Sequence, residues 1–176
     1  ALKNAKKTEE YYLGKHGRSG LDGQGNPTIS IVNYADRYVN AHYVNGRIVY
    51  GSGDNVKASN LAKALDIAGH EMTHGVISNT SNLTYQYQSG ALNESFADFF
   101  GTMIENDNWL MGEEVWLASP GYLRSLSDPA SAGQPAHMLD YENLPNTRDN
   151  GGVHRNSGIP NRALYLIAEG LTVEGL

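Results

Sequence analysis

Apolar residues recur at Leu61, Leu65, Ala68, Met72 and Val76, the three-and-four spacing of one helical face. The pattern predicts a helix over 61–78, with Ser59 or Asn60 as its N-cap. A second helix is expected over 90–106, with Phe96, Phe99, Phe100, Met103 and Ile104 as its buried side. A third is expected over 157–170 through Ala163, Leu164, Leu166, Ile167 and Ala168. Pro160 suits its first turn, where the missing N–H costs little. A short helix over 3–13, stopping before Gly14, leads the chain. After a polar, glycine-rich loop over 17–27, the period shortens. Ile29 to Val32, Val39 to Tyr43 and Arg47 to Tyr50 read as strands, the last two joined by Asn45-Gly46, a favoured hairpin turn. Residues 107–153, punctuated by Pro120, Pro129, Pro135 and Pro145, read as mostly irregular. The expected class is α+β, with strands and loops first and helices afterwards. There is no internal repeat.

With 176 residues, 40% of them hydrophobic, the chain can bury a core without staples. It has no cysteine, so any zinc must be held by histidine and carboxylate. A formal net charge of −6 and the lack of a dense basic stripe argue against nucleic acid as a partner. No apolar run is long enough to span a membrane, and no signal peptide is read. The start at Ala1 suits a processed product or an excised piece equally. Eleven tyrosines and 20 glycines, with many Asn and Ser, fit a loop-rich extracellular protein.

The chemistry concentrates in the first predicted long helix. His70-Glu71-Met72-Thr73-His74 reads H-E-x-x-H. Residues i and i+4 of a helix lie about 40° apart, so both imidazoles project from one face and can grip a Zn²⁺ ion. Glu71 stands beside them, placed to take a proton from water. A catalytic zinc needs a third protein ligand and an open position. Glu94, twenty residues after His74 and early in the next helix, can supply it. Asp98, one turn further on the same face, suits a carboxylate that holds an imidazole N–H. The bland alternative is two acids on a wet helix face.

The H-E-x-T-H motif followed by Gly90-Ala91-Leu92-Asn93-Glu94-Ser95-Phe96-Ala97-Asp98 resembles the thermolysin-like neutral zinc metalloproteases. Further matching segments run in family order: 38–41, 49–51, 83–86, 123–129 and 149–158. The resemblance implies a thermolysin-like zincin core that looks like the central part of the catalytic domain, truncated at both ends. Residues 1–80 would form an N-terminal sheet-and-helix lobe, and 81–176 the start of a helical lobe. It implies one catalytic Zn²⁺ on His70, His74 and Glu94, with Glu71 as the general base. It implies Tyr85 and His154 as donors to the oxyanion, Asp149 orienting His154, Asp98 supporting His70 and Asn93 supporting His74.

Asn40 and the Ala41 carbonyl match the strand edge that binds substrate backbone, and Arg124 the residue that grips the substrate carbonyl. Leu61, Ile67, Met111, Val115 and Leu123 would line an apolar pocket for the residue after the scissile bond. One structural Ca²⁺ is implied at Asp66, Glu105, Asn108, the Leu110 carbonyl and Glu113; two ions are disfavoured because Leu110 and Asn108 stand where acids are usual. His42 and Tyr43 replace a more typical aromatic pair beside the cleft. A peptide or protein substrate, a propeptide in the precursor, and secretion from a bacterium complete the expectation. Without the missing lobes, part of the apolar surface of helix 61–78 would be exposed. The competing expectation is a catalytically impaired fragment, or a non-catalytic peptide-binding relative of the same fold.

Overall fold

The computed structural model describes residues 1–170. Helix α1 spans Leu2–His16 and ends on Gly17, whose φ of 63° lets the chain turn left-handed and cap the helix. It runs past Gly14, the expected stop, because a single glycine inside a helix weakens it without breaking it. Strands β1 (Ile29–Tyr34), β2 (Ala41–Val44) and β3 (Arg47–Gly51) form one sheet in the order β1-β3-β2. β1 pairs parallel with β3, and β2 pairs antiparallel with it across the Asn45-Gly46 turn. Asn45 and Gly46 both take positive φ, 48° and 75°, as a two-residue hairpin turn requires. Among the described residues, β2 therefore has one edge paired to β3 and the other unpaired.

The predicted 61–78 helix is two pieces. A single 3₁₀ turn, Leu61–Lys63, is capped by Asn60, whose side chain accepts from the Ala62 N–H. Ala64 is extended, and helix α2 then runs Leu65–Ser78. α2 is buried along most of its length, with His74 and Val76 partly buried and Ser78 exposed. The exposed apolar face expected for a truncated piece is absent among the described residues. α1, the β2–β3 hairpin and the next helix surround α2, and Ile48, Tyr50, Ala68 and Met72 are fully buried in the core.

Helix α3 spans Tyr87–Glu105. Its buried face is Ala91, Asn93, Glu94, Ser95, Ala97, Asp98, Gly101 and Thr102, while Phe96, Phe99, Phe100, Met103 and Ile104 are only partly buried. The expectation of an aromatic buried side is thus corrected. α2 and α3 approach too closely for large side chains. A Cβ on Gly69 would come within 3.1 Å of the Gly101 Cα, and one on Gly101 within 2.7 Å of the Asp66 carbonyl. Small residues permit that approach, and it presses the polar face of α3 against the H-E-x-x-H face of α2.

The 107–148 stretch is irregular apart from the short pair β4 (Leu110–Met111) and β5 (Arg124–Ser125) and two 3₁₀ turns. Helix α4 (Asp149–Asn156) precedes α5 (Gly158–Glu169), with Pro160 in the first turn of α5. α4 opens on four consecutive positive φ values, at Asp149, Asn150, Gly151 and Gly152. No described helix is long and apolar enough to cross a membrane. The chain is α+β.

Candidate metal centre and substrate cleft

α2 projects His70 and His74 from one face, with their Nε2 atoms 3.0 Å apart. α3 brings Glu94, 1% exposed, to within 3.4 Å of the His70 Nε2 and 3.2 Å of the His74 Nε2. Donors bound tetrahedrally at about 2.0–2.1 Å stand about 3.3 Å from one another, so this triangle has the size that a zinc ion requires. The far nitrogens support the same reading. His74 Nδ1 lies 2.8 Å from Asn93 Oδ1, and His70 Nδ1 lies 2.8 Å from Asp98 Oδ1. Both partners are acceptors, so the proton is favoured on each Nδ1: hydrogen-bonded at His74, and at His70 beside the Asp98 carboxylate but out of hydrogen-bond alignment. In the neutral tautomers the two Nε2 lone pairs then point into the same space. Facing lone pairs repel unless a cation or proton lies between them. Glu94 Oε2 is also buried with no hydrogen-bond partner. The donor set fits zinc.

Glu71, 6% exposed, also comes within ligand range of both histidines. Glu94 is the better third ligand because its oxygens sit directly against both Nε2 atoms. That leaves Glu71 facing the cleft.

The charges around the triangle are held by named partners. Burial opposes ionisation of Glu94, but His154, His74 and His70 outweigh it and keep the carboxyl well below its usual range. Burial likewise opposes the charge on Asp98, yet Arg124 and His70 bring it down to about 2. The Arg124 Nε and Nη2 donate to Asp98 at 2.8 and 2.7 Å. Asn161, from α5, donates to the same carboxylate at 2.9 Å. Sequence reasoning missed Asn161; an asparagine inside a helix carries no signal of which carboxylate it will meet.

Across the cleft, His154 Nδ1 donates to Asp149 Oδ1 at 2.5 Å, and the Asp149 carboxylate also accepts the His154 and Arg155 N–H groups. Burial disfavours the imidazolium, but Glu94 and Asp149 raise the pKa of His154 above its ordinary value. Tyr85 donates to Glu94, and its oxygen lies 3.2 Å from His154 Nε2. Burial and the Glu94 charge push the Tyr85 phenol upward, so it stays protonated.

One half of the cleft is an apolar cavity of about 330 Å³, lined by Val39, Leu61, Ile67, Met111, Trp116 and Leu123, with Arg124 at its wall. Val115, expected at this wall, is fully buried in the core behind it; Val39 and Trp116 line the cavity in its place. The other half, about 560 Å³, is more polar and includes His42, Tyr43, Ser78, Asn82 and Thr84. Asn40 and Ala41, at the start of β2, border both halves, as do His70, Glu71 and His154.

A second acidic cluster lies at the N-terminal end of α2. Carboxylate oxygens of Asp66, Glu105 and Glu113 lie within 4.8 Å of one another. Asn108 joins them: its amide donates to Glu113 at 2.5 Å and its oxygen accepts the Leu110 N–H at 2.6 Å. Burial and neighbouring carboxylates raise Asp66 to about 6 and Glu105 to about 8.

Residues 1–78 match the family model for the thermolysin metallopeptidase catalytic domain, and residues 81–176 that for its alpha-helical domain. The chain is 46% identical over 175 residues to a bacillolysin of Brevibacillus brevis, covering 98% of this chain and 33% of that protein. It is 44% identical over 164 residues to neutral protease NprE of Bacillus pumilus, covering 92% of this chain and 54% of the relative. Among solved structures it resembles the precursor of protealysin, a metalloproteinase from Serratia proteamaculans. The TM-score is 0.88 at 36% identity, over 96% of this chain and 58% of that one. The chain thus spans between about a third and somewhat over half the length of these relatives.

Proposed function

Because the chain belongs to the thermolysin metallopeptidase family, we propose that it is the central part of a secreted zinc endopeptidase that cleaves on the amino side of bulky hydrophobic residues. Residues 1–80 and 81–176 would be its two lobes. The observation that carries this reading is the His70–His74–Glu94 triangle with the His74 Nδ1 hydrogen-bonded to Asn93 and the His70 Nδ1 against the Asp98 carboxylate. A zinc ion held there would polarise the scissile carbonyl and ready a water for attack at neutral pH.

The residues around it divide the remaining work. An extended peptide would add to the free edge of β2 at Asn40 and Ala41 through main-chain hydrogen bonds. Arg124, tied to Asp98 through Nε and Nη2, keeps Nη1 for a substrate carbonyl. A large apolar side chain filling the 330 Å³ cavity would gain roughly 1.5–3 kcal/mol by burial. Glu71 takes the proton of the attacking water and later delivers it to the leaving amine. Tyr85 and the protonated Nε2 of His154 donate to the oxyanion, and Asp149 holds the imidazole in that orientation. A precursor segment would cover the cleft before activation.

The test is a peptide library digested by the zinc-loaded protein. Cleavage should occur before Leu, Ile, Phe or Val, stop when zinc is chelated, and return on reloading. No cleavage by stoichiometrically loaded protein would sink the reading.

The Asp66–Glu105–Asn108–Leu110–Glu113 cluster is proposed to hold one Ca²⁺, pinning the first turn of α2 to the 105–113 segment. Three crowded carboxylates repel one another without the ion. A carboxyl raised in the folded state destabilises the fold as it ionises. Calcium-free protein should therefore lose stability from about pH 4 to about pH 8, and calcium should remove that loss. Limited proteolysis with a calcium-selective chelator checks the site. Cleavage between residues 105 and 118 should accelerate, and identical kinetics with and without calcium would remove the ion from the account.

A further inference from the structure

A tyrosine in a left-handed conformation is unusual, because its Cβ crowds the backbone where only glycine and asparagine sit easily. Tyr87 has φ of +50°. It opens α3 directly after Gln86, which is extended with φ of −150°. The residue is 45% exposed, so burial of apolar surface does not account for it well. Its contact does. A Cβ placed on Gly151 would lie 2.3 and 2.6 Å from the Tyr87 Cδ1 and Cε1, so the ring rests directly on the Gly151 backbone. Gly151 is the third of four residues with positive φ, from Asp149 to Gly152, and His154 follows two residues later. Asparagine and glycine enter this region at little cost but are not confined to it, so the turn needs its surroundings to hold it.

The ring sits at one end of a three-residue segment whose other end is Tyr85. Tyr85 meets His154 at 3.2 Å, while Tyr87 meets Gly151. The segment therefore touches the His154 turn at two points, one on the side chain and one on the backbone. Gly90 adds a third point on α3. A Cβ there would lie 2.3 Å from the Val153 Cγ1.

We propose that Tyr87 is a positioning residue whose ring, lying on Gly151, sets the left-handed turn that aims His154 at the same oxyanion as Tyr85. This rests on the zinc peptidase reading above.

The experiment compares Tyr87→Phe and Tyr87→Asn in the zinc-loaded protein, with Tyr87→Gly as a second permissive replacement. Phenylalanine keeps the ring. Asparagine and glycine suit the backbone and lose it. Tyr87→Phe should keep kcat and amide exchange within about twofold. Tyr87→Asn and Tyr87→Gly should lower kcat roughly 10-fold with KM changed less than about threefold. They should also speed amide exchange over 149–155 by roughly 10-fold, with the thermal midpoint held or raised because the left-handed backbone is relieved. Unchanged exchange over 149–155 in both ring-less variants would overturn the proposal. So would faster exchange spread over the whole chain with a lower midpoint, or equal losses in Tyr87→Phe, or a kcat that does not follow the exchange. Exchange is read without turnover, so a protein with no peptidase activity would refute the functional reading while the ring contact is still decided.

Discussion

Replacing Glu71 by glutamine is expected to leave zinc bound and to lower kcat for peptide cleavage by on the order of 10³-fold. Glutamine keeps the size and shape of the side chain, so α2 and its neighbours need not move. It cannot take a proton from the attacking water, nor return one to the leaving amine. Glu71 lines both halves of the cleft, while Glu94 sits directly against both Nε2 atoms. The substitution therefore removes a base and keeps the ligands. Zinc content by elemental analysis and kcat on a short peptide should be measured on the same sample. Full zinc with near-normal turnover would show that another group is the base. Loss of zinc would show that Glu71 is itself a ligand.

The second large effect concerns the third ligand. Glu94→Ala should weaken zinc binding by more than roughly 100-fold, since the change removes a donor outright and even neighbours of ligands are worth 10–100-fold. The native site should also show a defined pH dependence. Burial disfavours the charged form of His74, but Glu94 outweighs it and raises the pKa to about 9 in the ion-free protein. The ion-free histidine is then protonated at neutral pH and contributes stability below its unfolded value near 6.5, which is lost as pH rises through about 9. Zinc must displace that proton. Its affinity should fall about tenfold for each unit that pH drops below 9 while one proton is released. Calorimetry in buffers of different ionisation enthalpy counts that proton. Zinc binding independent of pH between 6 and 8, or unimpaired zinc in Glu94→Ala, would contradict the assignment.

Some features of the site could be read from residue spacing because they are local. The i, i+4 histidine pair needs only a helix, and the helix shows in its own apolar period. The third ligand could be placed by counting along a second helix, given that metal chemistry demands three donors. The hairpin at Asn45-Gly46 was equally legible, since two positive φ values call for those residues. The family resemblance named the rest of the site, and the family models and relatives confirm the family and the α+β fold.

Other features were not legible, and each depends on what packs against what. The phenylalanines of α3 looked like its buried side, because hydrophobicity was the only guide available. The close approach of α2 and α3 through Gly69 and Gly101 instead turned a small and polar face inward. Val115 looked like a pocket residue and is core, since an apolar residue reads the same on either side of a wall. Asn161 meets Asp98 from 63 residues away, a separation across which no periodicity carries information. The sequence by itself determined which side chains could bind a metal and which helix would carry them, because those depend on chemistry and short-range backbone period. Only the tertiary structure decided which face of each helix is buried, which apolar residues line the cleft, and which distant amide meets Asp98. Those outcomes depend on contacts between distant segments, where the fit of small residues outweighs the preference of any one of them.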